Sequence, residues 1–192
     1  MPPSVAPFSQ QAVGSNIELS QDGFTATRSC GCRESVALGK VPLRRQTPGL
    51  YFELEVCQTV EGWLGGLGIG VTHTDPSQLK EHRLPDKAWR LPGTFVVGYS
   101  GSRYLNGVEC PVDWQPDTLK VGQRVGLLLT GDGRTDMLIF VDGTEVMRLP
   151  GAELRSAGLR DEPLFAIVDV YNATVSVKLL PGAAAPEARL KR

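Results

Sequence analysis

Thiol, imidazole and carboxylate spacing marks where chemistry would have to begin in this chain, and each pattern falls short of a reactive site. Cys30-Gly31-Cys32 sets two thiols one residue apart, tighter than the C-x-x-C knuckle that grips zinc. His73 and His82 lie beside Asp75 and Glu81 in one polar stretch, but no Ser or Cys elbow accompanies them as a nucleophile. Asp132 and Asp136 flank Gly133 in the manner of calcium ligands, but this loop lacks the closing Glu and the further oxygens that calcium requires. Asp169 sits inside the apolar run AIVDVY. A buried carboxylate is costly unless it accepts hydrogen bonds, so Asp169 reads as a structural acceptor holding a turn. No catalytic, cofactor or metal-binding residue is assigned, and the chain reads as a non-enzyme.

The glycine stretch EGWLGGLGIGVTHTDP, residues 61–76, invites a nucleotide-binding reading and fails it. A dinucleotide loop needs G-x-G-x-x-G. Counted from Gly66 or Gly68, the third glycine would fall on Val71 or His73. The P-loop alternative requires Lys-Ser or Lys-Thr after the glycines, and Asp75-Pro76 follows instead. Leu67, Ile69 and Val71 alternate with glycine, so the stretch predicts a core strand with one bare face. That face leaves room for backbone or a large side chain.

Recognition chemistry is better represented than catalysis. The longest irregular stretches run over residues 73–92 and 100–121, and they hold Trp89, Arg90, Arg103, Tyr104 and Trp114. Trp, Tyr and Arg are the types that anchor protein interfaces. These five are the candidate partner-binding residues, and the competing role for Trp89 and Trp114 is to cap the ends of the fold. One rival reading is a lectin-like site in which Trp89 stacks on a sugar beside Asn106 or Asp113. Another is a lipid-headgroup site using Arg44, Arg45 and Arg103 at a membrane surface.

The elements that must position these residues are strands. Asp22-Gly23, Asn106-Gly107, Asp132-Gly133 and Asp142-Gly143 suit the positive φ angles of tight hairpins. Leu50, Phe52, Leu54 and Val56 alternate with Tyr51, Glu53 and Glu55, predicting a strand with one wet face. Val125, Leu127 and Leu129 form another inward set, and Val175, Val177 and Leu179 face opposite Thr174, Ser176 and Lys178. Met137 to Val141 and Leu164 to Val168 are apolar on both faces, as in the middle of a layered core. Thr94 to Tyr99 and Ile17 to Leu19 complete the strands. Helix is confined to a turn or two after the Asp75-Pro76 start. The fold class is therefore all-β, a two-sheet antiparallel sandwich.

At 192 residues, 41% hydrophobic and 21% charged, the chain suits one soluble domain. Residues 8–180 are assigned to it, with a loose N-terminus over 1–7 and a loose tail over 181–192. A net charge of -1 gives no electrostatic case for nucleic acid. No stretch is long and apolar enough to span a membrane, and the N-terminus lacks the pattern of a secretory signal. The four cysteines then read as free thiols in a reducing, cytoplasmic setting, and the sequon Asn172-Ala173-Thr174 as silent.

Four segments in order resemble the neuralized homology repeat, a relative of SPRY-type sandwiches. They are GSNIELSQDGFTATR from Gly14, GWLGGLGIGVTHTDP from Gly62, VGLLLTGDGRTDMLIFVDGTE from Val125, and EPLFAIVDVYNATVSVKLL from Glu162. Asn172 stands where glycine commonly follows Asp-Val-Tyr in the family, a position where Asn tolerates a left-handed backbone. The resemblance implies a β-sandwich that recognises a protein or peptide partner, several such modules lying within ubiquitin-ligase chains. Four Cys and two His are too few for the two zincs of a RING, and the segment after Leu180 is too short for a cullin-recruiting helical box. The implied role is that of an adaptor for ubiquitin-ligase components.

Overall fold

A computed structural model describes residues 5–79, 84–131, 135–161 and 163–186. In chain order its strands are β1 (Phe8–Val13), β2 (Ile17–Leu19), β3 (Thr25–Arg28), β4 (Val36–Gly39), β5 (Gly49–Thr59), β6 (Gly66–Thr72) and β7 (Thr94–Tyr99). There follow β8 (Ser102–Leu105), β9 (Val108–Pro111), β10 (Arg124–Thr130), β11 (Met137–Val141), β12 (Thr144–Leu149), β13 (Phe165–Asp169) and β14 (Thr174–Leu179). One sheet runs β1-β4-β13-β6-β7-β8-β9 and the other β12-β11-β10-β5-β14-β3-β2. Every strand pairing is antiparallel. The fold is the all-β sandwich that the alternation and turn residues predict.

Turn chemistry sets the hairpins. Asn106 (φ 50°) and Gly107 (φ 86°) join β8 to β9, while Asp142 (φ 49°) and Gly143 (φ 77°) join β11 to β12. Positive φ at both central residues matches the right-handed twist of the flanking strands. The Asp132-Gly133 turn lies outside the described residues. Asn172 has φ 40°, the left-handed conformation anticipated for it. Stretch 100–121 departs from expectation, because it contains the β8–β9 hairpin rather than one long irregular loop. Four-residue strands carry too few alternating positions for a periodicity signal.

Between the sheets lie Leu67, Ile69 and Val71 of β6, Phe52, Leu54 and Val56 of β5, and Leu127 of β10, all buried. The outer faces are covered as well. On the second sheet Tyr51, Leu128, Leu138 and Phe140 form a small cluster capped by Ala183 and Ala185. Tyr51 and Glu53 are thus buried rather than wet, and the Tyr51 hydroxyl donates to Glu53 at 2.9 Å. Burial, then the neighbouring Glu53 charge, raises the Tyr51 phenol pKa. Near the N-terminus, Val5 is buried in the main core and Pro7 accepts a hydrogen bond from the Lys40 amide. The ends of the chain, 1–4 and 187–192, lie outside the described residues.

The bare face of β6 is filled from above. A Cβ added at Gly68 would stand 2.7 Å from Cζ of Tyr99, so the glycine makes space for that phenol ring. Helix is brief. The Asp75-Pro76 start yields a 3-10 turn, Pro76–Gln78, with Asp75 accepting from the Ser77 amide. Sequence patterning misses α1 (Gly151–Ser156), a six-residue helix whose first amide donates to Asp136 at 2.8 Å. Asp136 also pairs with Arg148 at 3.4 Å.

Candidate functional site

The outer face of the first sheet is organised around one carboxylate. Asp169 ends β13 and is fully buried. Its Oδ1 accepts from the Ser35 hydroxyl at 2.8 Å. Its Oδ2 accepts from the Tyr99 hydroxyl at 3.0 Å and from the Ala88 amide at 3.1 Å. The Ala88 bond fastens the connection between β6 and β7 down onto the sheet, and the Ser35 and Tyr99 bonds tie in the approach to β4 and the end of β7, a larger task than holding a single turn. Ala88 and Leu91 of that connection pack on Val36, Leu38, Val96 and Ile167. Burial raises the Asp169 pKa, while nearby Lys87 and the three hydrogen bonds oppose the rise.

Lys87 is itself buried. Its ammonium donates to the Cys32 carbonyl and lies 3.7 Å from the centroid of Tyr171, a cation–π contact. Burial lowers the Lys87 pKa, and the Asp169 charge works against that shift. Tyr171 is held from the other side of the sandwich. The Arg28 guanidinium at the end of β3 donates to the carbonyls of Val170 at 2.9 Å and Asn172 at 2.6 Å. Each buried charge here has hydrogen-bonded company, as a low-dielectric setting demands.

A ladder of rings is built on this base. Trp89, in the 3-10 turn Ala88–Arg90, stacks on Tyr104 of β8 at 4.9 Å and 10°. Tyr104 meets Tyr99 edge-on at 5.5 Å, and Tyr99 meets Tyr171 at 5.6 Å. The Arg90 guanidinium lies 4.9 Å from the Trp89 ring and 2.7 Å from Asp86, which Arg33 also approaches at 3.7 Å. Opposite, Glu109 of β9 accepts from Ser102 at 2.8 Å and Tyr104 at 2.9 Å. Burial and then Glu109 push the Tyr104 pKa up to about 12. Together these residues line a cleft of about 300 Å³.

The candidate anchors divide. Trp89, Arg90 and Tyr104 come together in the cleft. Arg103, next to Tyr104 on β8, points to the opposite face by strand alternation, and it pairs with Glu153 of α1 at 2.5 Å. Trp114 is 8% exposed and packs in the main core. His73 bridges Pro163 and the Arg160 amide at 3.2 Å each, and His82 lies outside the described residues. The described residues contain no group of three or more His, Cys, Asp or Glu able to hold a metal ion. No helix among them is long and apolar enough to cross a membrane.

Sequence patterning did not single out Trp63 and Leu64 as exposed. They stand 48% and 80% exposed in the loop between β5 and β6. The available signal was two large apolar residues bracketed by Gly62 and Gly65, beyond the last alternating position of β5. Nor do Lys87, Tyr171 and Arg33 carry a local pattern. They reach the cleft from three separate connections.

A family model described as Neuralized matches residues 8–181. Neuralized-like protein 2 of Homo sapiens is 27% identical, across 87% of this chain and 74% of that protein. The E3 ubiquitin-protein ligase NEURL3 of Mus musculus is 26% identical across 94% of this chain, which spans 63% of that protein's length. The crystal structure of the Drosophila melanogaster neuralized NHR1 domain superposes with a TM-score of 0.69, across 94% of this chain and 98% of that one, at 19% identity. A human SPRY domain superposes with a TM-score of 0.57 at 17% identity, across 88% and 98% of the respective chains. At these identities the structural likeness establishes the fold.

Proposed function

The chain belongs to the Neuralized family, whose sandwich is a non-catalytic protein-interaction module, and on that premise we propose that it recognises its partner through the cleft floored by Trp89 and Tyr104. One observation carries this reading. Trp89, stacked on Tyr104 of β8, and the 52%-exposed Arg90 stand on a connection that the buried Asp169 fastens to the sheet. Binding to a preformed surface avoids the ordering entropy that a mobile loop would lose, and Trp, Tyr and Arg are the residues that dominate such interfaces. A sugar platform is less well served, because Tyr104 and Arg90 already engage the Trp89 ring.

Within this reading the domain acts as a substrate adaptor in ubiquitin ligation, supported by its likeness to a protein named as an E3 ubiquitin-protein ligase. We place it in the cytoplasm. All four cysteines are free thiols, in keeping with a reducing compartment. Affinity capture from the native cell tests the proposal, using wild-type, Arg90→Glu and Trp114→Ala domains with quantitative mass spectrometry. Partners lost with Arg90→Glu and retained by folded Trp114→Ala support the cleft, and ubiquitin-ligase subunits among them support the adaptor role. Equal capture by wild type and Arg90→Glu rejects the site.

A further inference from the structure

Trp63 and Leu64 form the most exposed apolar pair on the described surface, at 48% and 80%, and nothing in the core explains them. Their loop is firmly held. Asp117 accepts from the Gly65 amide at 3.2 Å, and the Asn172 side chain donates to the Leu64 carbonyl at 2.7 Å. It also adjoins the cleft. A Cβ on Gly65 would lie 2.6 Å from Oγ of Ser100 and 3.0 Å from the Tyr171 ring, and both residues line the cleft wall. The tip loop therefore meets the cleft wall at Gly65.

The charges on that surface are uneven. Arg33 and Arg90, with side chains 73% and 52% exposed, share the single carboxylate of Asp86. Each guanidinium carries several N–H donors, so two cations with spare donors meet one anion. The facing carboxylate, Glu109, keeps its charge and accepts through Oε1 from the neutral hydroxyls of Ser102 and Tyr104, and among the described residues it forms no ion pair with Arg33 or Arg90. The polar partners of the tip loop are Asp117 and Asn172, so the cations of this surface stand at the cleft.

Resting on the cleft reading above, we propose that the ligand is a short linear peptide with a carboxylate for Arg33 and Arg90 and, further along, an apolar side chain that packs on Trp63 and Leu64. The carboxylate takes charge-assisted hydrogen bonds from the guanidiniums. The apolar residue covers the tip, removing from water the side chains that the fold itself leaves bare.

The test is selection of a display library of random twelve-residue peptides on the folded domain, followed by fluorescence anisotropy with the enriched peptides. Enriched sequences are expected to pair Asp or Glu with an aromatic or aliphatic residue. Trp63→Ser, Leu64→Ser and Arg90→Glu should each weaken binding by at least about tenfold, with melting temperatures near wild type because all three side chains are substantially exposed. Val146→Ser, at the exposed β12 edge (Val146 is 40% exposed), should leave binding unchanged. Loss with Arg90→Glu alone would keep the cleft and remove the tip from the site. Peptides indifferent to all three substitutions, or no enrichment at all, would overturn both. Sedimentation of the domain with phosphatidylserine vesicles, abolished by Leu64→Ser, would assign the tip to a membrane instead.

Discussion

Asp169 shows how far one side chain can be read from its neighbours. A carboxylate inside AIVDVY announces hydrogen-bond donors before any are seen, because without them burial is prohibitive. The sequence cannot say that the donors come from Ser35, Tyr99 and Ala88, far apart along the chain. Burial raises its folded pKa, so the folded state holds the proton more tightly than the unfolded chain does. Its contribution to stability is greatest below the ordinary aspartate range and is lost as pH rises through the folded value. Against Asp169→Asn, urea unfolding should therefore show the wild type's relative advantage shrinking as pH climbs from about 4. An advantage growing with pH would mean that Lys87 and the donors outweigh desolvation. Gly68 is the second residue with a specific liability. Tyr99 is pinned by Asp169 and cannot retreat from a new side chain, so Gly68→Val should cost about 1–3 kcal/mol by overpacking, seen as an earlier denaturant midpoint.

At the scale of elements, alternation succeeds where strands are long and two-sided. Phe52, Leu54 and Val56 of β5 and Leu127 and Leu129 of β10 face the core as their spacing predicts. It fails at register shifts. β14 slips against β5 around Ser176, and Thr174 is wholly buried with its hydroxyl accepting from the Leu67 amide at 3.0 Å. A bulge of this kind reverses facing without changing composition. The same limit explains the divided anchor set. Arg103 and Tyr104 are neighbours in sequence but occupy opposite faces of β8, a separation invisible until the hairpin is recognised. That hairpin depends on its turn. Asn106 sits at φ 50° and accepts from the Gly93 amide at 3.0 Å, tying β8 to the start of β7. Asn106→Ala should destabilise the domain by about 1–2 kcal/mol, whereas Asn106→Gly should recover the backbone share of that loss. Thermal unfolding of the pair separates the two contributions.

For the whole molecule, the proposed recognition surface lies on the outer face of one sheet, while Trp114 packs in the core. Residue types alone rank Trp89 and Trp114 equally. Burial separates them, and burial follows from long-range packing that no local window contains. Arg90 and Trp114 should therefore respond to substitution in opposite ways. Surface ion pairs contribute little stability, whereas truncating a buried aromatic costs about 3–5 kcal/mol. The most direct measurement is partner retention by purified Arg90→Glu, read beside its melting curve. A melt within about 2 °C of wild type and binding weakened by at least about tenfold are expected. A normally folded Arg90→Glu domain that holds its partner as tightly as wild type would contradict it.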